Sequence, residues 1–241
     1  MEKQIIECVP NFSNGRDQSV INDITNQIKL IEGVKLLSVE PGEATNRTVV
    51  TFVGEPEKVI EAAFQAIKKA AELIDMSKQT GEHPRMGATD VCPLIPISGI
   101  SMRETVLYAN KLGERVGEEL SIPVYLYEDA ATKPERKNLA NIRSGEYEAL
   151  EDKLKQKEWK PDFGSNSFKI AQKTGATAIG ARDFLIAYNI NLNTTSTRRA
   201  NAVAFDIREK GRISRKGNTL TGKILKDKKK QAQEGFEPTI P

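Results

Sequence analysis

One loop near the middle of the chain carries residue types that proton-transfer chemistry uses. The sequence has a single histidine, His83, and histidine is the side chain that titrates near neutral pH without help from its surroundings. It lies within residues 80–90, where glycine, proline and neighbouring charges are typical of a shaped loop. The residue types alone leave two interpretations open: a catalytic base, or an ordinary surface or packed histidine.

A second cluster of small residues spans residues 174–182, after a turn-rich stretch at 159–168 that has no apolar period. Glycines at this density allow a flat ligand to approach the backbone and its N–H groups closely. A linker between domains explains the same spacing equally well. The sequence therefore predicts either a ligand-binding segment or a linker at this place.

Composition indicates a globular protein with an ordinary core. The 241 residues are 38% hydrophobic and 29% charged, and the formal net charge is +3. Two cysteines, Cys8 and Cys92, are too few for a disulfide framework, and each lies in an apolar run, so we expect buried, reduced thiols. No apolar run reaches membrane-spanning length and the first residues lack a signal peptide's apolar region, so we predict a cytoplasmic location.

Hydrophobic periodicity predicts the order strand–helix–strand–strand–helix–strand over the first hundred residues. The strands are predicted at 5–9, 34–39, 47–53 and 89–97, and the helices at 20–31 and 56–74. This order is the βαββαβ pattern of a ferredoxin-like α/β sandwich in the α+β class. Pro93 and Pro96 interrupt the fourth strand, which in that topology lies at a sheet edge, where proline is tolerated.

The second half of the chain contains a further helix and an unfinished pattern. Ser101 and Glu104 form a capping box that predicts a helix start, followed by an extended segment at 122–127 and helical pieces in 138–157 that break at Gly145. The longest strand candidate, 184–193, precedes a helix at 196–210, and one strand and one helix cannot bury a core. The predicted domains are residues 1–181, the beginning of a similar but incomplete second subdomain at 182–210, and a basic, flexible tail at 211–241.

Distinctive short motifs lie at residues 6–13, 46–49, 81–86, 90–93, 124–127, 145–148, 161–164 and 184–192. Together they resemble glutamate formiminotransferase, the transferase part of the formiminotransferase-cyclodeaminase enzymes, from about residue 5 to about residue 210. The resemblance implies transfer of the formimino group from N-formimino-L-glutamate to N5 of tetrahydrofolate, a step in histidine degradation and folate one-carbon metabolism. It also implies subdomains of ferredoxin-like type.

The resemblance gives His83 a role, because the family's catalytic histidine falls in the motif that matches residues 81–85. Attack by N5 on a cationic amidine leaves positive charge on the attacking nitrogen. The reaction therefore needs a base to remove that proton and an acid to return one to the departing glutamate nitrogen, and one imidazole can do both. Glu40 stands where the family has an acidic residue that would steady the cationic centre, with Glu82 and Asp90 as weaker candidates.

Substrate binding is expected to depend on arginines, because both substrates carry carboxylates. Arg47 and Arg85 lie in matched motifs and are predicted to bind these carboxylates, although each could equally be a structural salt-bridge partner. The resemblance implies that residues 162–175 bind folate. The folate-binding residues that it identifies are Asp162, Gly164, Ser167, Phe168 and Gly175.

Tetrahydrofolate is expected as a co-substrate, and no metal is expected. Because the second subdomain is unfinished, we expect a homodimer or a complementing C-terminal chain. One alternative is a folate-binding but catalytically incomplete fragment, or one half of a split transferase. Another is a nucleic-acid-binding protein, suggested by the basic run at 226–230, but this run lacks interleaved aromatic residues. We therefore predict neither a nucleic-acid nor a membrane partner.

Overall fold

The structure, a computed structural model, describes residues 3–185, 190, 192–207, 215–216 and 223–224. The chain divides into two units, residues 1–185 and 186–241. The strands of the first unit are β1 (Ile5–Cys8), β2 (Asn11–Phe12), β3 (Val34–Gly42), β4 (Arg47–Gly54), β5 (Thr89–Ser98), β6 (Val124–Glu128) and β7 (Thr177–Ala181). Its helices are α1 (Gln18–Lys29), α2 (Pro56–Leu73), α3 (Met102–Leu120), α4 (Leu139–Arg143), α5 (Leu150–Lys155) and α6 (Phe168–Ala171).

A seven-stranded mixed sheet lies at the centre of the first unit. The strands follow the order β3-β4-β1-β5-β7-β6, with the short β2 continuing the line of β1 between β4 and β5. β5, β7 and β6 run parallel to one another, and the other pairs are antiparallel. The predicted α+β class is confirmed, and so is the element order of the first hundred residues. The ferredoxin-like type stays a prediction.

The prediction that the fourth strand lies at a sheet edge is wrong. β5 is central, because it pairs with β1 on one side and with β7 on the other. Pro93 is tolerated there because it lies opposite the break between β1 and β2, where its carbonyl accepts a hydrogen bond from Val9 N (3.2 Å). Pairing with β7 ends at Leu94, so Pro96 lies beyond that ladder.

The interpretation of residues 174–182 as a linker is also wrong. They contain β7, all five residues of which are buried between β5 and β6. A Cβ at Gly180 would lie 2.5 Å from the Tyr127 carbonyl oxygen, closer than real Cβ contacts allow. Small residues at this position therefore serve close packing of neighbouring strands.

Different helices cover the two faces of the sheet. On one face, α1, α2 and α3 pack against strand residues such as Phe12, Val50 and Phe52 in the larger core. On the other face, α4 and α5 contribute to a smaller core with residues of β5, β6 and β7, including Val91 and Tyr125. The residues of β3 and β4 on this second face stay half-buried or exposed. This face is therefore covered only in part.

Two local predictions are confirmed. Ser101 caps α3, and the Glu104 carboxylate accepts a hydrogen bond from Ser101 N (2.8 Å), which completes the capping box. Cys8 and Cys92 are free and buried, with their Sγ atoms 3.5 Å apart across β1 and β5.

Predictions for the last sixty residues are tested only in part. Residues 186–189 and 191 of the strand predicted at 184–193 lie outside the described residues, and its described residues adopt no regular structure. The helix predicted at 196–210 is observed as α7 (Thr197–Ile207). The tail at 211–241 lies outside the described residues except for the antiparallel pair β8 (Arg215–Lys216) and β9 (Lys223–Ile224). Among the helices that the structure describes, none is long and apolar enough to cross a membrane.

Candidate active site

The loop that carries His83 is tied down at its beginning. Asn46, with φ of 46°, accepts a hydrogen bond from Gly15 N (3.0 Å) and donates one to the Thr80 carbonyl (2.8 Å). A Cβ at Gly81 would overlap the Thr45 carbonyl oxygen, so only glycine permits this approach. The chain is therefore fixed two residues before His83.

The end of the same loop is fixed by the strands beneath it. The Ser13 hydroxyl donates to the Gly87 carbonyl (2.7 Å), and Ala176 N donates to the Met86 carbonyl (3.1 Å). Gly175 has φ of 64°, and a Cβ there would overlap the Met86 carbonyl oxygen. Gly175 was predicted to bind folate, and the backbone that it approaches is that of the His83 loop.

Arg85 holds the loop from the side. Its guanidinium has five N–H donors, and they make five hydrogen bonds: two to Gln79, one to Glu146 and two to Glu148. No donor is left for a substrate carboxylate in this arrangement, and the contacts are those of a salt-bridge partner; carboxylate binding by Arg85 stays a prediction. The matched motif at 145–148 supplies the two glutamates that hold it.

Asp90 owes its position to a bulge at the start of β5. Phe12 pairs with Thr89 while Asn11 pairs with Val91, so Asp90 is an extra residue between them. Its side chain is fully buried; Oδ1 accepts a hydrogen bond from Met86 N (2.9 Å), and Oδ2 accepts one from the Arg143 guanidinium. Asp90 was only a weak candidate in the sequence.

Arg143 was missed by sequence reasoning. It is the last residue of α4 and its only sequence signal is a basic residue in the last turn of a short helix. The buried Lys153 ammonium donates to the carbonyls of Ile142 (2.6 Å) and Ser144 (2.8 Å), the residues on either side of Arg143. Lys153 therefore fixes the end of α4 and the backbone that presents Arg143.

Arg47, at the start of β4, adds a second guanidinium to this place. It is half-buried, and its charge interacts with Asp90 and Arg143. Burial lowers the pKa of Arg47, but arginine keeps its charge in proteins. The Nε atoms of Arg47 and Arg143 are buried and have no hydrogen-bond partner among the residues that the structure describes. Arg143 is bonded to the Asp90 carboxylate and Arg47 lies within its electrostatic influence, and two guanidiniums with unused N–H groups suit an anionic ligand.

His83 completes what we call the polar cluster: Arg47, His83, Asp90 and Arg143. The half-buried imidazole has Nδ1 2.6 Å from the Pro84 carbonyl oxygen. A carbonyl oxygen only accepts, so Nδ1 carries the proton and Nε2 of the neutral ring keeps its lone pair. Burial, followed by the charges of Arg47 and Arg143, lowers the pKa of His83 despite the opposing effects of Asp90 and Pro84. His83 is therefore a neutral base at physiological pH.

The charge of Arg47 can be tested through this pKa. Arg47→Met removes a cation that disfavours imidazolium, so we expect the pKa of His83 to rise and the acid limb of any histidine-dependent rate to move to higher pH. The sole histidine gives one titrating imidazole signal in a proton NMR experiment. Arg103→Met, in α3, is the control and should leave that signal's midpoint in place. An unchanged midpoint in the Arg47 variant would contradict the assignment.

Glu40 lies on the same face of the sheet but at its edge. In β3 it pairs with Val49, so its side chain shares a face with Arg47. The exposed carboxylate accepts a hydrogen bond from Ser38 Oγ (2.8 Å) and forms no ion pair within the described part of the chain. The structure therefore brings Glu40 to the right face without joining it to the polar cluster.

Two of the predicted folate-binding residues, Asp162 and Gly164, make structural contacts, and their binding of folate stays a prediction. The Asp162 carboxylate is mostly buried. Its Oδ2 accepts hydrogen bonds from Leu126 N (2.8 Å) and the Arg136 guanidinium (2.7 Å), and its Oδ1 accepts one from the Thr132 hydroxyl. Gly164 has φ of 82°, and a Cβ there would overlap the Ile122 carbonyl oxygen. These contacts lock the segment against β6 and explain why these residue types occur there.

Phe168 is linked to the His83 loop through Tyr147. The Phe168 ring packs on Tyr147 with centroids 5.9 Å apart, and Tyr147 N donates to the Arg85 carbonyl (3.0 Å). Ser167 and Phe168 also line an open groove of about 500 Å³, a volume typical of a small-ligand cleft. The side chains that border it include Lys155 and Gln172. Phe168 and Gly175 are thus connected to the His83 loop.

A comparison with protein families decides the affiliation of the chain. The family described as formiminotransferase domain, N-terminal subdomain, matches residues 5–182, a range that contains the whole polar cluster. The chain belongs to the formiminotransferase family. Among the residues that the structure describes in this family member, no group of three or more His, Cys, Asp or Glu side chains could hold a metal ion.

Curated relatives agree with this affiliation. The chain is 56% identical to formimidoyltransferase-cyclodeaminase of Mus musculus over 223 residues. The aligned part covers 92% of the chain and 40% of the mouse protein. It is 50% identical to glutamate formimidoyltransferase of Thermoplasma acidophilum, covering 86% of the chain and 68% of that protein. It is 48% identical to glutamate formimidoyltransferase of Streptococcus pyogenes, and the aligned part covers 86% of the chain and 69% of that protein. The chain therefore spans only part of the length of each relative.

Proposed function

We propose that this chain acts in the transfer of the formimino group from N-formimino-L-glutamate to N5 of tetrahydrofolate, with tetrahydrofolate as co-substrate. The observation that carries the proposal is a neutral histidine with a free Nε2 beside two guanidiniums that have unused N–H groups. The names of the relatives, glutamate formimidoyltransferase among them, support it. Histidine degradation in the cytoplasm is the setting that we infer for this step.

His83 is proposed to move one proton during the transfer. A bond forms between N5 of the folate and the formimino carbon, and the bond from that carbon to the glutamate nitrogen breaks. The Nε2 atom of His83 accepts the proton that N5 loses and gives it to the departing nitrogen, so that the enzyme returns to its starting form. The lowered pKa of His83 suits this role, because the imidazole must be neutral before the first step.

Arg47 and Arg143 are proposed to bind substrate carboxylates. Both have buried Nε atoms without partners, whereas every N–H group of Arg85 is already bonded. Glu40, on the same sheet face as Arg47, is proposed to steady the cationic formimino group. The groove beside Ser167 and Phe168 is the place that we propose for part of the folate.

The proposal is tested by incubating the purified chain with both substrates. We expect L-glutamate release, measured by mass spectrometry, only when N-formimino-L-glutamate and tetrahydrofolate are present together. Omission of either substrate is the control. Equilibrium folate binding without glutamate release would support the alternative of a catalytically incomplete folate-binding chain. Addition of the C-terminal part of a relative would then show whether a complementing chain or a homodimer is needed, and absence of both binding and release would overturn the proposal.

A further inference from the structure

Asn11 is a buried side chain whose acceptor atom has no partner. The residue is only 5% exposed, and its Nδ2 donates to the Val9 carbonyl (2.8 Å). Because a carbonyl oxygen only accepts, this bond fixes which end of the amide is nitrogen. Oδ1 is therefore the opposite end, and it is buried with no hydrogen-bond partner in the described part of the chain. Buried acceptors are normally paired, so this one needs an explanation.

The strand register puts Asn11 next to the polar cluster. Asn11 pairs with Val49 of β4 and with Val91 of β5. Side chains alternate along a strand, so Arg47, two residues before Val49, lies on the same face and diagonal to Asn11. Diagonal neighbours in a sheet are about 7–8 Å apart, within the length of an arginine side chain. Asn11 thus contributes an acceptor to the face on which Arg47 contributes a donor.

The unpaired atoms on this face suit a ligand that carries both hydrogen-bond acceptors and a hydrogen-bond donor. Arg47 and Arg143 have donors that need an acceptor, and Asn11 has an acceptor that needs a donor. N-formimino-L-glutamate has carboxylates for the guanidiniums and a terminal N–H on its formimino group. The N-formyl analogue has nearly the same shape but places an acceptor oxygen where the formimino group has N–H.

We propose that Asn11 Oδ1 accepts a hydrogen bond from the terminal N–H of the formimino group and makes the site select formimino over formyl donors. The inference rests on the proposed function. A formyl oxygen opposite Oδ1 would set two acceptors against each other and leave both unpaired. Sites that bond a substrate N–H reject analogues that lack it far more strongly than apolar pockets distinguish similar shapes.

The test compares kcat/KM for N-formimino-L-glutamate and N-formyl-L-glutamate as donors. The Asn11→Leu variant removes the acceptor at similar volume, and we expect the preference for the formimino donor to fall at least about tenfold, the scale of one such hydrogen bond. The Asn11→Asp variant loses the N–H donor to the Val9 carbonyl but keeps an oxygen acceptor, so it should keep the preference even where its stability falls. The matched control is Val49→Ala, at the paired position on the same face, which adds no polar group and should leave the ratio unchanged.

The remaining outcomes distinguish a failure of the role proposed for Asn11 from a failure of the proposed function. If Asn11→Leu loses both activities equally, or only melts earlier, Asn11 is a structural residue bonded to an ordered water, and the inference is overturned. If the parent binds the donor but transfers nothing, the proposed function fails, and the affinity ratio of the two ligands in titration calorimetry still tests Asn11. If the Asn11→Leu variant does not fold, the affinity ratio of the formimino and formyl ligands for the parent protein tests the inference. A ratio near one overturns it.

Discussion

Replacement of His83 by glutamine is expected to lower formimino transfer at least about a hundredfold while the fold stays intact, the usual effect of losing a general acid–base group. Glutamine can keep polar contact with the Pro84 carbonyl but has no lone pair that accepts a proton near neutral pH. The imidazole contributes little to the loop's position, because the anchors are Asn46, Ser13 and Arg85. Chemistry should therefore be lost without loss of stability.

The measurement is kcat at saturating concentrations of both substrates, together with the thermal unfolding midpoint. Lys78→Gln is the control, because Lys78 is a highly exposed residue of the same region that pairs with Asp75. It should match the parent in both quantities. A His83→Gln variant that folds and turns over like the parent would remove His83 from the mechanism, and one that unfolds would make it a structural residue.

Most of the first unit's elements could be predicted because their hydrophobic periods are local. β7 was missed because its five residues, Thr-Ala-Ile-Gly-Ala, are mostly small, whereas parallel strands are usually recognised by branched apolar runs. Without β7 the position of β5 could not be known. Its two prolines favoured a sheet edge, and only the break between β1 and β2 and the short β5–β7 ladder explain how a central strand accommodates them.

The candidate site could be predicted only where residue type alone is informative. His83 is distinctive as the sole histidine, but Arg143 belongs to the site through an ion pair with a residue 53 positions away, and no local pattern reports that contact. The bulge that makes Asp90 available depends on the register between β2 and β5. For Asp162 and Gly164 the family resemblance implies folate binding, which stays a prediction, and the structure adds that both residues contact neighbouring backbone.

Removal of the Asp90 carboxylate is expected to cost about 3–5 kcal/mol of unfolding free energy, the usual effect of breaking one side of a buried ion pair. Asp90 is fully buried, and its two oxygens hold Met86 N and the Arg143 guanidinium. In Asp90→Asn, the amide can still accept from one of them, but its N–H₂ group must face the other donor. Arg143 would then be a partly buried cation beside Arg47 with no counter-charge.

Urea unfolding of Asp90→Asn measures this cost, and Glu57→Gln is the matched control. Glu57 and Lys111 form an exposed pair on α2 and α3, so its loss should change stability by no more than about 1 kcal/mol. An Asp90→Asn variant as stable as the parent would contradict the assignment of a buried pair.

The double variant Asp90→Leu with Arg143→Met separates the structural and functional roles of the pair. Replacing both charges by apolar side chains leaves no unpaired ion, so the double variant should be less destabilised than the sum of the single changes. Activity should not recover with stability, because the unused N–H groups of Arg143 are gone and the proposed carboxylate binding would lose one of its two guanidiniums. We expect a raised KM for N-formimino-L-glutamate in a well-folded protein. Recovery of both stability and KM would show that Arg143 only balances the charge of Asp90, and would leave Arg47 as the single carboxylate-binding arginine of the polar cluster.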